Sequence, residues 1–265
     1  MKLVVVKARI FWGYSIKQPT QTAAQDSIPL PPPTTVLGAI AAPYAKYFKL
    51  PETLKIGGNT YSTTAKLLID GLIKYCSAGL LESTAVKYSD TSRSIMLIYQ
   101  RHKEREYHFA AQAVGKVYTP SWKENLLLVY IVDDKYSELI SKISWGITSL
   151  GSKEGIVSVC DVITSDVKKL EVRNQLVKTP FITPSRIAFC EAGCAEIKLC
   201  RISPDSYLSG SVCVEEDYLV PIHPDVRDLY GGLMHVRPND KAAVVEVPLG
   251  DGVKTYILVP EGVIS

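Results

Sequence analysis

The densest group of side chains that could do chemistry lies in the segment QRHKEREYHFAAQAVGKVY, residues 100–118. Tyr107 and His108 could stack on nucleic-acid bases. Glu104 and Glu106 dilute the positive charge of the segment, so a solvated hairpin tip is an equally good interpretation. Four cationic side chains of the segment are candidates for gripping phosphates: Arg101, Lys103, Arg105 and Lys116.

The same segment holds the only nuclease site that the sequence suggests. His102 or His108, with Lys103 and Tyr107, could cleave RNA without a metal if one group deprotonates the 2′-hydroxyl and another protonates the leaving oxygen. Neighbouring residues on a strand point to opposite faces, which weakens this reading. The sequence has neither the clustered carboxylates of a two-metal nuclease nor a Gly-x-Ser-x-Gly hydrolase motif. A metal-independent endoribonuclease stays open as an alternative.

A second candidate is the glycine-containing turn GITSLGSKEG, residues 146–155. Gly146 and Gly151 have the spacing of a phosphate-binding P-loop, but Ser152 precedes Lys153 where a P-loop places lysine first. The turn also leads from a helix into a strand, the reverse of a P-loop, so ATP hydrolysis is rejected. Backbone N–H groups of Gly151 and Ser152, with the Lys153 ammonium, could still contact an RNA backbone. The alternative is an ordinary helix C-cap turn.

A third candidate is the long polar connection of residues 13–33, which ends in three prolines. The prolines are restricted to extended backbone, and Thr34 or Thr35 is expected to cap the helix that follows. A connection this long inside a compact domain is more often functional than idle. We expect residues 13–30 to be held out over the sheet as a contact surface for RNA or a neighbouring subunit, and the candidate RNA contacts are Tyr14, Lys17, Gln18 and Gln21.

The six cysteines include no Cys-x-x-Cys pair, so neither a metal nor another cofactor is expected. If residues 191–193 form a hairpin turn, Cys190 and Cys194 face each other across two strands and could oxidise. Such a disulfide is unusual in cytoplasm outside hyperthermophiles, and two ordinary buried thiols are the favoured interpretation.

Composition limits the domain count, the mode of nucleic-acid binding and the cellular location that we expect. The chain has 265 residues, 46% of them hydrophobic and 22% charged, as in a globular protein with one large domain or a domain with an appendage. The net charge of +3 requires that any nucleic-acid binding come from a local patch. No run approaches the ~18 apolar residues of a membrane span and no signal-peptide pattern is present, so we expect a cytoplasmic protein with no membrane partner.

The elements that must position these candidates follow from hydrophobic periodicity. The pattern predicts strands near 2–12, 84–89, 94–100, 107–117, 125–132 and 155–163, and helices at 35–48, 63–76 and 133–145. The frame is the β-α-β-β-α-β order of a ferredoxin-like fold. We therefore predict an α+β protein in two parts. Residues 1–165 form a modified ferredoxin-like domain with a projecting β-hairpin arm, and residues 166–265 form a mostly β portion packed on it.

Two stretches of the sequence resemble a known family. PLPPPTTVLGAIAAPYAKYF (29–48) looks like the proline-rich lead-in and first helix of the Cas-five family of CRISPR-associated proteins, in the RAMP superfamily. SLGSKEGIVSV (149–159) is similar to the helix-to-strand turn of its archaeal subtype I-A members. The resemblance covers about thirty residues, and it implies the RRM-like ferredoxin fold of RAMP proteins.

The resemblance also implies a function in antiviral defence. Cas-five proteins are subunits of Cascade, the CRISPR surveillance complex. They bind the repeat-derived 5′ handle of the CRISPR RNA at the foot of the backbone filament. The implied partners are that RNA, the Cascade backbone subunit and the large subunit, with target DNA near the protospacer-adjacent motif (PAM) as a further candidate. Only the I-C branch of the family cleaves RNA, and its tyrosine, lysine and histidine cannot be aligned here. We therefore expect a non-catalytic RNA-binding subunit, with the endoribonuclease and a protein-only assembly subunit as alternatives.

Overall fold

A computed structural model describes most of the chain. For residues 92–97 and 107–112 it describes the backbone alone. The described residues are 1–17, 26–81, 84–97, 107–119, 123, 125–152, 154–172, 175–223, 225–226 and 228–264.

The described residues form three α-helices: α1 (Pro33–Phe48), α2 (Thr63–Ile69) and α3 (Ser137–Ser144). The predicted threonine cap of α1 is wrong, because the helix begins at Pro33, whose fixed φ suits the first helical position. Its N-cap, Pro32, makes no side-chain cap hydrogen bond. The helix predicted at 63–76 ends at Ile69, because Gly71 takes a left-handed φ of 68° and turns the chain into a strand. Four short 3₁₀ turns complete the helical content of the described residues: Asp134–Tyr136, Ser185–Ile187, Pro204–Tyr207 and Glu261–Val263.

Strands make up most of the regular structure, and the fold is α+β as predicted. The first nine strands are β1 (Lys2–Ile10), β2 (Gly13–Tyr14), β3 (Thr53–Ile56), β4 (Asn59–Ser62), β5 (Ile73–Leu80), β6 (Thr84–Leu97), β7 (Tyr107–Tyr118), β8 (Leu126–Val132) and β9 (Val157–Asp166). The last ten are β10 (Lys169–Leu170), β11 (Val177–Thr179), β12 (Thr183–Pro184), β13 (Ala188–Ala192), β14 (Cys194–Cys200), β15 (Glu215–Pro221), β16 (Leu229–Gly231), β17 (Met234–Pro238), β18 (Ala242–Gly250) and β19 (Val253–Pro260).

The central sheet has the strand order β5-β8-β1-β9, with every neighbouring pair antiparallel. The prediction that residues 2–11 and 125–132 share a sheet is confirmed, with Val4 opposite Tyr130 and Val6 opposite Leu128. Both faces of β1 are apolar because the sheet is covered on both sides. Val4 and Val6 share a core with α1 and α3, and the alternate residues Leu3 and Val5 share another with β18 and β19.

The chain after β9 consists of short strands and 3₁₀ turns in its described residues. Val245 and Ile257 of the β18–β19 hairpin are fully buried and belong to the core beneath the central sheet. Tyr218 and Val220 of β15 join the core on the helix side. The C-terminal residues thus pack directly on the first part of the chain, while the boundary at residue 165 stays a prediction.

The prediction for Cys190 and Cys194 is wrong in two respects. Their strands do not form a hairpin, because β13 pairs with β17 and β14 pairs with β15. Gly193, with a φ of 69°, turns the chain from one sheet to the other. The two cysteines are also joined in a disulfide rather than buried as thiols. A second disulfide joins Cys200 to Cys213.

Several of the fifteen tyrosines are structural. Burial raises the pKa of Tyr44 above the ordinary value of 10, and it does so most strongly for five other tyrosines, because the phenolate would lose its hydration. The members of this buried tyrosine set are Tyr14, Tyr75, Tyr130, Tyr207 and Tyr218. Within the described residues, no helix is both long and apolar enough to cross a membrane.

Candidate nucleic-acid interface

The two ends of the polar connection close on each other as a buried neck, formed by residues 14–16 and 27–30. The backbone N–H of Ile16 donates to Ser27 Oγ at 3.1 Å, and the Ile28 N–H donates to the Ile16 carbonyl at 2.8 Å. The Tyr14 hydroxyl donates to the Pro29 carbonyl at 2.6 Å. Residues 18–25 between the two ends, which include the predicted contacts Gln18 and Gln21, lie outside the described residues.

The structure contradicts the prediction that Tyr14 contacts RNA. Its side chain is fully buried and lies in the core beside α1. Residues 13–14 form strand β2 rather than a loop, and Tyr14 pairs with Val117 of β7 with both side chains pointing inward. The stem of the connection is therefore packed rather than held out as a contact surface. Lys17 is exposed at the mouth of the neck, and no carboxylate among the described residues pairs with it.

The predicted hairpin is formed by β6 and β7, which pair from Val86 opposite Tyr118 to Leu97 opposite Tyr107. Its tip, residues 98–106, lies outside the described residues. The predicted contacts Arg101, Lys103 and Arg105 fall in that tip, and Tyr107 is described by its backbone alone. The projection of the hairpin as an arm stays a prediction.

The base of this hairpin presents an aromatic and cationic face in which two tyrosines are exposed and Trp12 and Lys116 are half-buried. We call this face the platform, and its members are Trp12, Tyr88, Lys116 and Tyr118. Tyr88 lies directly opposite Lys116, and Tyr118 is two residues further along β7 on the same face. Tyr88 and Tyr118 are 42% and 46% exposed, and the Lys116 ammonium lies 5.7 Å from the centroid of the Trp12 ring. Such a face suits base stacking combined with phosphate contact.

The charge of Lys116 is partly neutralised inside the protein. Its ammonium donates to Asp90 at 2.6 Å, and this hydrogen bond raises the pKa of Lys116 and lowers that of Asp90. Both partners are near the surface, where such a pair exchanges readily. A phosphate group must therefore compete with Asp90 for this lysine.

The glycine turn closes against the neck. A Cβ on Gly151, which has a φ of 70°, would lie 2.6 Å from Cγ1 of Ile16. A Cβ on Gly155 would lie 2.2 Å from the Leu150 carbonyl oxygen, which explains why both positions are glycine. The Trp12 indole donates to the Glu154 carbonyl at 2.7 Å and joins the turn to the platform. Ser152 Oγ is buried with no hydrogen-bond partner among the described residues, which do not include Lys153.

Two more contacts tie the hairpin base to the neck. Ser15 Oγ donates to the Gly115 carbonyl of β7 at 2.8 Å, and Lys87 of β6 forms an ion pair with Asp26. The Lys87 ammonium also lies 5.9 Å from the ring centroid of Tyr230. The neck, the glycine turn and the hairpin base, which are far apart in sequence, therefore form one continuous surface.

A groove of about 300 Å³ separates α1 from the glycine turn. Small residues line it, so a ligand can approach the helix and the turn closely. A Cβ on Gly38 would meet nothing within 4 Å, which shows that the groove is open at that point. We call this the small-residue groove, and its lining is Thr35, Gly38, Ala39, Ala42, Ser149 and Gly151.

Three curated proteins of Saccharolobus solfataricus are similar to this chain. "CRISPR system aCascade subunit Cas5 1" is 32% identical over 176 residues, which are 65% of this chain and 68% of the relative. "CRISPR-associated protein Cas5 3" is 32% identical over 168 residues, 62% of this chain and 66% of the relative. "CRISPR-associated protein Cas5 2" is 31% identical over 176 residues, 64% of each chain. The chain belongs to the Cas5 family. No protein-family model matches it.

A solved structure shares the fold of this Cas5 protein. The crystal structure of a CRISPR protein from Archaeoglobus fulgidus superimposes with a TM-score of 0.62. The alignment covers 98% of this chain and 100% of the other, at 19% sequence identity. At that identity the likeness shows the fold alone.

The structure of this Cas5 protein brings together only part of the site predicted from the sequence. Lys17, Lys116, Gly151 and Ser152 lie around the neck and the turn, and Tyr14 lies inside the core. Sequence reasoning missed three platform residues: Trp12, Tyr88 and Tyr118. The spacing of Lys116 and Tyr118 by two was a usable signal, since alternate residues of a strand share a face.

Proposed function

We propose that this Cas5 protein is a non-catalytic subunit of a type I CRISPR surveillance complex, Cascade, in which it binds the 5′ handle of the CRISPR RNA. The observation that carries the proposal is the platform, where two exposed tyrosines lie beside a half-buried tryptophan and lysine, next to an open groove in a Cas5-family protein. Stacking on aromatic rings is sequence-tolerant, and phosphate contacts fix the register of the strand.

The central sheet supports a modified ferredoxin-like domain of the RAMP type. Along the chain its elements run β1, α1, β5, β8, α3 and β9, the β-α-β-β-α-β order, with β2, β3, β4, α2 and the β6–β7 hairpin inserted. We further propose that the protein contacts the backbone and large subunits of the complex and nucleates or caps the filament. Target DNA near the PAM is a further proposed partner. One relative bears the name of an aCascade subunit, which supports this assembly.

The groove offers a matched pair of variants for the main test. Gly38→Gln places a longer side chain in the groove, whereas Gly38→Ala adds only a methyl group that meets nothing within 4 Å. Either replacement removes a helix-interior glycine, and alanine there should stabilise α1 by about 1 kcal/mol. Affinity for a synthetic handle RNA is measured by fluorescence anisotropy, with thermal unfolding as the check on folding. We expect Gly38→Gln to weaken binding at least about fivefold, roughly 1 kcal/mol, and Gly38→Ala to leave it unchanged.

The charged candidates are tested by salt dependence. Alanine variants of Lys17, Arg101, Arg105 and Lys153 should each lower the slope of log affinity against log salt by about one unit if that lysine or arginine contacts a phosphate. Unchanged RNA affinity and salt slope in all four variants, together with unchanged RNA affinity in Gly38→Gln, would favour the protein-only assembly subunit over RNA binding.

The absence of catalysis is part of the proposal and has its own assay. The labelled repeat RNA is incubated with the protein in EDTA and resolved on a denaturing gel, and we expect it to stay intact. Metal-independent cleavage that His102→Ala or His108→Ala abolishes would establish the endoribonuclease instead.

A further inference from the structure

A second groove, of about 420 Å³, lies between the last turns of α1 and α3 and shares no lining residue with the small-residue groove. Its volume falls in the usual range of binding clefts, about 300–1,000 Å³. We call it the helix–helix groove, and its lining is Pro43, Lys46, Tyr47, Leu139, Lys142, Ile143 and Gly146.

The two walls of this groove have the same pattern. On α1 the positions i, i+3 and i+4 are Pro43, Lys46 and Tyr47, and on α3 they are Leu139, Lys142 and Ile143. Each wall is therefore an apolar residue, a lysine and another apolar residue on one helix face. At the end of α3 the helices are in close contact, because a Cβ on Gly146 would lie 2.8 Å from Cβ of Pro43.

Large aromatic side chains are left in solvent around the groove. Tyr47 is 68% exposed, and its neighbour Phe48, 4.9 Å away between ring centroids, is 44% exposed. Trp145, which precedes Gly146, is 54% exposed. An exposed cluster of this kind beside a groove is typical of a surface that binds another protein.

The charge at the groove decides what kind of partner fits. Lys46 and Lys49 are exposed, and neither has an ion-pair partner among the described residues. Lys142 is bonded to Glu138 at 2.6 Å, but these side chains are 72% and 82% exposed, so another carboxylate can take the place of Glu138. Three lysines against one glutamate make the rim positive.

Lys46 and Lys142 line the groove, and Lys49 is the C-cap residue of α1. We infer that the helix–helix groove docks an acidic amphipathic helix of another protein. Apolar side chains spaced i, i+3, i+4 and i+7 on that helix would occupy the groove, as in other helix-in-groove interfaces. Its flanking carboxylates would pair with Lys46, Lys49 and Lys142, whose aliphatic stems extend the apolar walls. The inference goes beyond the proposed RNA binding and does not depend on it.

The test uses synthetic peptides of about 14 residues. The first carries leucines at that spacing with glutamates beside them, the second replaces every glutamate by lysine, and the third has the composition of the first with its leucines scattered around the helix. Binding is followed by fluorescence anisotropy. We expect the first peptide to bind at least about ten times more tightly than either of the others, and less tightly as salt is raised.

Protein variants locate the binding. Lys46→Glu with Lys142→Glu should invert the preference between the acidic and basic peptides, and Tyr47→Ser should weaken the acidic peptide several-fold. Lys55→Glu on β3 is the matched surface control and should change nothing. The inference is overturned by equal binding of the three peptides or by a preference that survives the double charge reversal. It is also overturned if wild type self-associates in sedimentation and Tyr47→Ser restores a monomer, since a second copy of the chain would then be the occupant.

Discussion

The substitution Tyr14→Phe separates a structural tyrosine from a binding one. It removes one oxygen from a fully buried ring and leaves the Pro29 carbonyl without the 2.6 Å hydrogen bond it now accepts. A buried acceptor left unpaired costs about 1–3 kcal/mol. Taking about 2 kcal/mol, we expect the melting temperature to fall by roughly 4–8 °C for a chain of this size.

The matched variant is Tyr118→Ala on the platform. That side chain is 46% exposed, so its loss should change stability by less than about 0.5 kcal/mol. If Tyr118 stacks on a base, the same change should weaken RNA binding by about 1–3 kcal/mol, with little effect on the salt slope. The two tyrosines should therefore give opposite results in the two measurements.

The assay combines thermal unfolding by circular dichroism with anisotropy titrations of handle RNA, made at a temperature where both variants are folded. A Tyr14→Phe protein that melts like wild type but binds RNA poorly would refute the buried neck. A Tyr118→Ala protein that binds RNA like wild type would refute the platform as the stacking surface.

Three further predictions concern charge, pH and the disulfides. Asp90→Asn releases the Lys116 ammonium, so the salt slope of RNA binding should steepen by about one unit, and an unchanged slope would mean that Lys116 contacts no phosphate. Folding raises the pKa of the buried tyrosine set above the unfolded value of about 10. The contribution of these tyrosines to the free energy of unfolding is therefore fully present below pH 10 and is lost as pH rises through the folded pKa. Once the unfolded chain ionises all five, the free energy of unfolding should fall by roughly 7 kcal/mol per pH unit, and tyrosinate absorbance and circular dichroism should change together in an alkaline titration. Early ionisation of all tyrosines in a folded protein would contradict this. A disulfide that closes a longer loop restricts the unfolded chain more strongly. Replacing Cys200 and Cys213 by serine should therefore lower the free energy of unfolding by about 3 kcal/mol in a denaturant titration, and replacing Cys190 and Cys194, which close a shorter loop, by about 2 kcal/mol. Equal losses would contradict this dependence on loop length.

The parts of the fold that the sequence predicts well are those whose pattern has a single reading. β8 is a continuous apolar run bounded by polar residues, β1 contains the apolar run of residues 3–6, and α1 has apolar residues at helical spacing. The pattern of residues 63–76 had two readings. Leu72, Ile73 and Cys76 continue the helical spacing, yet Ile73 and Cys76 lie in strand β5, whose backbone pairs with β8, and Leu72 directly precedes that strand. Local pattern cannot show that tertiary pairing.

The site was harder to predict than the fold, for a related reason. Whether a tyrosine faces solvent or core depends on strand register, and register is set by partners far along the chain. Tyr14 and Tyr118 lie on neighbouring strands, yet one is buried and the other exposed, since Tyr14 pairs with Val117 and Gly13 pairs with Tyr118. The sequence shows which residue types are available but not which face they occupy.

The buried neck explains the prolines and the polar connection together. Pro29 accepts the Tyr14 hydrogen bond and Pro33 starts α1, so both ends of the connection are fixed to the core before any ligand arrives. Gly151 of the turn is packed against the same neck, and the Gly115 carbonyl of the hairpin base accepts a hydrogen bond from Ser15 of the neck. The turn and the hairpin base are therefore held in place by the neck. A surface fixed in this way loses less conformational entropy on binding than three independent loops would. The prolines thus affect RNA binding through the neck that they help to fix. We therefore expect substitutions inside the neck to change the stability of the fold directly and RNA affinity only as a consequence.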